Sequence, residues 1–339
     1  MTEQLPVDLD VDNDPSLSAS RVGTCLFVLG MHRSGTSAVT SAVTALGVAG
    51  PSPERRMVPS RWNERGNLES RALRRMNDRL LRRLGGTWSG PPALEPGWEQ
   101  GAVVNGLREG AAHCFAGSFP SRPMAWKDPR NCLTLPFWRG VLAPPAASLF
   151  VYRDPLEVAR SLHARDHLSM TEGVALWDRY TRSVCANLQG LPTMVVEYAQ
   201  ALAHPIDWIA QLRQFLGEVG IPVTSDNDGH AAASMVGDLR HHDGVDDASL
   251  SLHPRHAELL EVLRTLDAVQ PSWQPPDIPP APPWVDDVLE LRRRLDVVTH
   301  QRRRERRAAQ SQTSGVTRLR ARFRHFLPVP HRSSQVKDQ

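Results

Sequence analysis

The segment GMHRSGTS, residues 30–37, combines the residue types of a loop that binds an oxyanion. An apolar run precedes it, an amphipathic pattern follows it, and the hydroxyls of Ser34, Thr36 and Ser37 stand beside the guanidinium of Arg33. A turn between a strand and a helix presents backbone N–H groups to a tetrahedral oxyanion, whether its central atom is phosphorus or sulfur. These residues predict an anion-binding loop. The alternative interpretation is a helix N-cap whose small residues allow close packing.

The same loop lacks the signature of a nucleoside-triphosphate P-loop. That motif needs G-x-x-x-x-G-K-[ST], with a lysine immediately before the hydroxyl residue. Gly30 and Gly35 have the required spacing, but Thr36 stands at the lysine position. A bound anion would therefore meet Arg33 as the fixed charge of this turn.

A second segment, VYRDPLEVARS, places Arg153 at the end of an expected strand and Ser161 two turns into the next helix. In an open α/β sheet the carboxyl ends of the strands form the ligand crevice, so Arg153 should meet the same ligand as Arg33. A cation and a hydroxyl there suit a second phosphate, separate from the first. The alternatives are an ion pair between Arg153 and Asp154, and a Ser161 that faces solvent.

Lys127 is singled out by the composition of the chain. The 40 Lys and Arg residues include only two lysines, Lys127 and Lys337, and Lys127 is the one inside the expected folded region. A chain that uses arginine for nearly every cation has retained a lysine in the segment WKDPR. The alternative is a surface lysine next to Asp128.

Alternating strands and helices are expected to position these groups. The apolar patterns predict an α/β fold, a P-loop-like three-layer arrangement of a central parallel sheet flanked by helices. Expected strands are 24–29, one ending near 124–130, 147–153 stopped by Asp154-Pro155, and 193–199. Expected helices are about 37–46, 69–84, one ending near Phe115, 156–168 with Pro155 as its first residue, 172–188, 206–219 and 257–269.

The chain is expected to divide into four parts. Residues 1–22 should be disordered, 23–270 should form the α/β domain, 271–284 should be a stiff proline-rich linker, and 285–339 should be a basic helical or disordered tail. The tail has 14 Lys and Arg against 6 Asp and Glu, whereas the whole chain has a net charge of +3. Its basic character therefore belongs to this appendage.

The tail leaves three roles open. Val288, Leu291, Leu295 and Val298 have the spacing of a short amphipathic or coiled-coil helix, which would allow self-association. The stretch VTRLRARFRHFLPV alternates arginine with apolar residues and could lie on an anionic membrane surface. A solvated or disordered tail is the third interpretation, and nucleic acid is not an expected partner.

The overall composition is typical of a soluble globular protein, and the cysteines favour a cytoplasmic one. Apolar residues make up 40% and charged residues 23% of the chain, and no apolar run approaches the roughly 18 residues of a membrane span. The acidic, polar N-terminus is the opposite of a signal peptide. Four cysteines lack C-x-x-C or zinc spacing, so we expect reduced, mostly buried thiols. His241 and His242 have no partner at metal spacing, and no metal is assigned.

Taken together, HRSGTS, WKDPR and YRDPLEVARS resemble the sulfotransferase superfamily, which uses 3′-phosphoadenosine 5′-phosphosulfate (PAPS). Among characterised members the pattern is similar to that of tyrosylprotein sulfotransferases, and many bacterial sulfotransferase-like proteins share it. Those enzymes carry P-R-S-G-T-T, E-T-R, N-K-D-P and R-D-x-R-x-x-V-x-S. The corresponding residues here are Arg33-Ser34-Gly35-Thr36-Ser37, Glu69-Ser70-Arg71, Lys127-Asp128-Pro129, and Arg153-Asp154 with Val158 and Ser161.

The resemblance covers about Thr24 to Tyr198, roughly half of the chain, and it has departures. Ser37 replaces the second threonine of the loop and keeps the hydroxyl. Leu156 stands where the family has an arginine. Gln200 and Ala201 are unusual in the segment that follows Tyr198.

The resemblance implies roles for the candidate residues. Arg33, Ser34, Gly35, Thr36 and Ser37 would hold the 5′-phosphosulfate, and Arg153 with Ser161 would hold the 3′-phosphate. Tyr198 would lie near the nucleotide. Lys127 would stabilise the charge that develops on the leaving phosphate.

The proton of the acceptor needs a general base, and Glu69 is the candidate. The alternative for Glu69 is a carboxylate favoured by the positive end of a helix dipole. Glu64, His32, His163 and His167 are held in reserve as bases.

The expected activity is therefore PAPS-dependent transfer of a sulfuryl group to a hydroxyl, without a metal. A saccharide is the first expectation for the acceptor and a natural-product hydroxyl the second. Four tryptophans could line an acceptor pocket or belong to the core: Trp62, Trp88, Trp98 and Trp126. Two other functions remain open, a P-loop kinase or NTPase-like phosphotransferase, and a non-catalytic protein that binds anionic partners through its basic tail.

Overall fold

A five-stranded sheet organises the chain. The computed structural model describes residues 24–57, 68–120, 123–142, 146–236, 252–299, 301, 302 and 305. Strand order is β2-β1-β3-β4-β5. Strands β1 to β4 are parallel, whereas the short β5 is antiparallel to β4. Their bounds are β1 Cys25–Leu29, β2 Met124–Lys127, β3 Ala146–Tyr152, β4 Thr193–Glu197 and β5 Val269–Gln270.

Helices cover both faces of this sheet. One face carries α1 Thr36–Ala45, α8 Tyr198–Ala203, α9 Pro205–Glu218 and α10 Asp228–Val236. The other carries α2 Arg71–Arg83, α3 Ala102–Asn105, α4 Arg108–Ser118, α5 Asn131–Leu142, α6 Pro155–Asp166, α7 Met170–Asn187 and α11 Pro254–Arg264, joined by α12, residues 284–299. Two 3₁₀ turns lie at Pro53–Arg55 and Trp98–Gln100.

The strand residues explain this three-layer packing. Every residue of β1 is buried, because a parallel strand covered on both faces needs apolar side chains throughout. Successive side chains point to opposite faces, so Phe27 enters one core with Trp126 and Phe150, while Val28 enters the other with Val196. The α/β fold class expected from the sequence is confirmed.

Several element limits differ from the sequence-based expectation. The helix expected from Glu69 begins at Arg71, because the Ser70 hydroxyl caps it by accepting from Leu73 N at 3.4 Å. The single helix expected before Phe115 is two helices, α3 and α4. The helix expected to reach Val269 ends at Arg264, and Val269 pairs with Met194 as part of β5.

The proline-rich segment 271–284 packs on the domain instead of standing away from it. Trp273 is fully buried, and its indole donates to Cys185 O at 2.8 Å. Its backbone also bonds to Leu191 O at 2.9 Å. Helix α12 continues this packing by burying Val285 and Leu289 in the same core. The first part of the expected tail therefore contacts the α/β domain, because its apolar residues complete that core; residues 306–339 lie outside the described part.

The structure also shows whether the described helices could span a membrane and which state the cysteines are in. Within the described ranges, the helices are all too short or too polar to cross a bilayer. The four cysteines are free thiols, with Cys25, Cys132 and Cys185 buried and Cys114 partly exposed. Burial raises the pKa of the Cys185 thiol to about 12 and also raises that of Cys132.

Candidate active site

A polar cavity of about 270 Å³ lies at the carboxyl ends of the four parallel strands. Arg33 comes from the loop after β1, Lys127 ends β2, Arg153 follows β3 and Tyr198 follows β4. Parallel strands bring these four chain segments to one edge of the sheet, which is where ligands of open α/β sheets bind. Gly35, Thr36, Ser37 and Glu69 also line this cavity.

The loop between β1 and α1 is held in a tight conformation. Arg33 has φ 72° and Gly35 has φ 89°, both in the left-handed region. A Cβ added at Gly35 would lie 2.2 Å from the Tyr198 ring, so a glycine is needed there. As the N-cap of α1, Gly35 has no side chain to cap the first N–H groups of the helix. Those groups are therefore available to an anion.

Lys127 and Glu69 form a buried ion pair at the centre of the site. Lys127 Nζ lies 2.6 Å from Glu69 Oε1 and donates to Ser37 Oγ at 3.1 Å. Lys127 is 2% exposed and Glu69 is 7% exposed. The surface position considered for Lys127 is therefore wrong, because β2 ends inside the cavity wall. Glu69 lies one residue before the N-cap of α2.

Arg153 and Ser161 are placed near Arg33, in different ways. Arg153 Nη1 donates to Arg33 O at 3.4 Å, and its guanidinium carbon lies 5.5 Å from the Tyr198 ring centroid. Ser161 is buried in α6 and accepts from Arg33 Nε at 2.7 Å, behind the residues that line the cavity. A solvent-facing Ser161 is thus wrong.

The alternative ion pair between Arg153 and Asp154 is also wrong. The Asp154 carboxylate caps α6, accepting from Leu156 N at 2.8 Å, and Arg153 Nε pairs with Glu157 at 2.5 Å. Because Glu157 is half exposed, this pair contributes little stability and leaves the guanidinium free to turn toward a ligand.

His32 is a buried, uncharged member of the cavity wall. Its ring centroid lies 4.6 Å from that of Trp88 and 5.9 Å from that of Tyr180. Burial, followed by the charges of nearby arginines and Lys127, holds the pKa of His32 well below its ordinary value. Its Nε2 atom is buried without a hydrogen-bond partner among the described residues.

Arg130, which lies directly after K-D-P, is a cavity residue that the sequence motifs did not indicate. Arg130 is 5% exposed, lines the cavity and pairs with Asp78 at 2.7 Å and Asp128 at 3.1 Å. Burial alone would lower the pKa of Arg130, but these carboxylates raise it, so the guanidinium stays charged. Asn77 also donates to Asp128, at 2.9 Å. The signal was present in the segment WKDPR, three residues after Lys127.

Some of the remaining candidate residues line the cavity and others do not. Trp88 lines the cavity, whereas Trp126 is a core residue. His163 and His167 are exposed on and after α6 and do not line it. Glu64, Trp62 and the pair at 241–242 lie outside the described residues. Within the described ranges there is no group of three or more His, Cys, Asp or Glu that could hold a metal.

Comparisons with known proteins give similarities of fold. No family model and no curated protein matches the chain. Among solved structures, it is similar to sulfotransferase STF1 from Mycobacterium tuberculosis H37Rv, with 15% identity, a TM-score of 0.36, and coverage of 63% of this chain and 71% of that one. It is also similar to the sulfotransferase domain of the Synechococcus PCC 7002 olefin synthase, with 16% identity, a TM-score of 0.34, and coverage of 80% and 95%. Structural similarity to bacterial sulfotransferases, which the motifs predict, is thus found at low identity.

Proposed function

We propose that this protein is a PAPS-dependent sulfotransferase that acts on a hydroxyl. One observation carries the proposal: Arg33, Lys127 and Arg153 converge from three adjacent strands, with the carboxylate of Glu69 among them. The chemistry needs cations to hold two anionic groups and a carboxylate to receive a proton. These four residues are also those that match the sulfotransferase motifs.

The donor set fits PAPS. Arg33, Arg153 and the uncapped start of α1 suit two phosphate-like groups, and the buried Ser34 hydroxyl has no partner among the described residues. In this proposal the loop residues 33–37 hold the 5′-phosphosulfate. Arg153 holds the 3′-phosphate, and Ser161 positions the guanidinium of Arg33. Tyr198 packs against the loop at Gly35 and beside Arg153.

When bound, PAPS supplies an electrophilic sulfuryl group whose bond to the 5′-phosphate oxygen breaks as the acceptor oxygen bonds to sulfur. Glu69 receives the hydroxyl proton on a carboxylate oxygen. Lys127 donates to the oxygen on which negative charge develops, and such preorganised donors are worth about 10²–10³ in kcat. Both residues are buried, so water is largely kept from them and their electrostatic effect is strong.

A phosphotransferase is the second candidate, and it is weaker here. It needs a lysine before Ser37 and a carboxylate to hold Mg²⁺. Thr36 occupies the lysine position, and Asp128, the carboxylate at the end of β2, is already bonded to Arg130 and Asn77.

We also propose that the enzyme works in the cytoplasm and that the part of the chain after α12 contacts an anionic membrane surface or a second copy. The net positive charge of residues 285–339 supports such contacts.

Thermal unfolding with added nucleotides tests the proposal. A ligand present at about 100 times its Kd stabilises the folded state by about 2.7 kcal/mol. We expect 3′,5′-ADP to raise the Tm far more than 5′-AMP, because only the former has a 3′-phosphate. Equal shifts with both nucleotides, or a larger shift with ATP and Mg²⁺, would contradict it.

A further inference from the structure

A second cavity, of about 410 Å³, meets the first one. The two share Arg74, Trp88, Arg130 and Asp166 as lining residues. The two cavities therefore adjoin along these residues, and the first cavity is the one that Glu69 and Lys127 line.

One wall of this second cavity is helix α12. Arg292, Asp296 and Thr299 line it from that helix, next to the turn that carries Trp88. Asp296 is buried, and its Oδ2 accepts from Thr87 Oγ1 at 2.5 Å and from Ser89 Oγ at 2.7 Å. These bonds fix the turn on which Trp88 is placed.

The contact between the helix and this turn is close. A Cβ added at Gly90 would lie 2.7 Å from Arg293 Cα, so the backbones of the turn and of α12 approach each other directly. Arg292 is oriented by Asp296 at 3.0 Å and by Glu172 of α7 at 3.4 Å. The wall is therefore built by specific contacts to α7 and to the turn.

The lining of the second cavity is strongly polar. Of its twelve lining residues, seven are charged, three carry hydroxyls, and only Trp88 and Leu168 are apolar. A flat apolar acceptor, such as a phenol or a fatty alcohol, would desolvate these charged groups without giving them hydrogen bonds. A molecule rich in hydroxyls can donate to the aspartates and accept from the arginines, while its apolar face rests on the Trp88 ring.

We propose that the second cavity is the acceptor site, that it takes a sugar-like polyol, and that α12 supplies its specificity through Arg292 and Thr299. The inference rests on the proposed function, because it assigns the acceptor of that reaction. It also gives α12 a role in the site, although the sequence placed this helix in an appendage.

Sulfuryl transfer from PAPS tests the acceptor class. The full chain is offered cellobiose, N,N′-diacetylchitobiose and digalacturonic acid as saccharides, and 2-naphthol and 1-octanol as apolar hydroxyl compounds. We expect sulfated saccharide and no sulfated naphthol or octanol. Sulfation of an apolar compound alone, or the absence of any saccharide product, would overturn the inference.

Variants on α12 test whether this helix contributes to acceptor binding. Arg292→Ala should raise the KM for the saccharide about 10-fold, the effect of losing one hydrogen bond to a charged group, with the KM for PAPS unchanged. Arg294→Ala is the matched control, because Arg294 is exposed and pairs with Glu290. Thr299→Val, a milder change, should raise the same KM about threefold. Unchanged saccharide KM in both Arg292→Ala and Thr299→Val would overturn the role of α12.

Failure of this inference can be told apart from failure of the proposed function. If 3′,5′-ADP stabilises the protein but 2-naphthol is the acceptor, the acceptor class is wrong and the sulfotransferase proposal stands. If 3′,5′-ADP does not stabilise the protein, the proposed function is wrong and the inference falls with it.

Discussion

Lys127 Nζ lies 2.6 Å from Glu69 Oε1, so the two groups assigned to opposite sides of the reaction form one buried ion pair. While this pair is intact, one carboxylate oxygen of Glu69 accepts from the ammonium. An anionic donor group in the cavity would compete for Lys127. In the proposed mechanism, donor binding would then release the base, because an ammonium that turns to the donor group leaves the carboxylate free to accept a proton.

Lys127→Ala should lower kcat by about 10²–10³, because the lost charge acts mainly in the transition state. The affinity for PAPS should fall much less. Lys127→Arg should restore little activity, since a planar guanidinium cannot replace a compact ammonium in a buried site. Steady-state kinetics with each substrate varied give both quantities, and Arg75→Ala, a change at an exposed position of α2 outside the matched motifs, is the control. A fully active Lys127→Ala enzyme would refute the mechanism.

Glu69→Gln should abolish turnover and preserve binding of 3′,5′-ADP, because only the capacity to accept a proton is lost. The amide can still accept from Lys127, so the fold of the site should survive. Turnover is measured by release of 3′,5′-ADP from PAPS, and binding by thermal shift. If the variant turns over normally, the base is another residue, and His32 becomes the first to examine because it lines the same cavity.

Arg153→Ala should remove the difference between 3′,5′-ADP and 5′-AMP in thermal unfolding. Its guanidinium is the cation assigned to the 3′-phosphate, and Arg139→Ala, a change outside the cavity lining, should leave the difference intact. A persistent preference for 3′,5′-ADP in the Arg153→Ala protein would show that another group binds the 3′-phosphate.

His32 predicts a specific loss of stability in acid. Burial lowers its pKa well below the ordinary 6.5 in the folded state, so below pH 6.5 the unfolded chain binds a proton there that the folded chain does not. The stabilisation is present above pH 6.5 and is lost as the pH falls toward the folded-state pKa, at about 1.4 kcal/mol per pH unit.

Urea unfolding of the wild type and of His32→Gln, at pH 7.5 and pH 5.5, measures this loss. The wild type should lose more free energy of unfolding than the variant on acidification. His113→Gln, at an exposed position, should behave like the wild type. Identical losses in the wild type and His32→Gln would mean that His32 titrates normally.

Leu289→Ala should cost about 2–5 kcal/mol of unfolding free energy, because Leu289 is 2% exposed in the main core. Leu291→Ala on the same helix should change it by no more than about 0.5 kcal/mol, since Leu291 is 60% exposed. Urea unfolding compares the two. Equal, small effects would place α12 outside the folded domain.

Sequence patterns predicted the parts of the site that depend on local order. Residues at the ends of parallel strands must meet at one sheet edge, so Arg33 and Arg153 could be brought together from their places after expected strands. Lys127 joined them through the composition of the chain and the sulfotransferase resemblance. The burial of Ser161 and its bond to Arg33 could not be predicted, because a serine occurs on either face of a helix and the apolar residues of α6 did not assign it to one.

Other features depend on tertiary packing that leaves no local trace. Arg130 could not be told apart from the other arginines by sequence, because the chain has 38 of them. Its ion pairs with Asp78 and Asp128 are visible only in the structure. The segment around Trp273 reads as a linker because its prolines dominate the composition. It packs on the domain because the Trp273 indole is buried and donates a hydrogen bond to Cys185 O.

The two borders of the sheet offer little backbone to a neighbouring chain. Beyond β2, Ala49 already forms a bridge with Met124 and accepts from Ala125 N at 2.8 Å. At the other border, β5 is two residues long and runs against the direction of its neighbour. Long unpaired strand borders are templates for aggregation, and natural proteins shorten or cover them. An assembly of several copies through continuous strand pairing is therefore disfavoured at both borders.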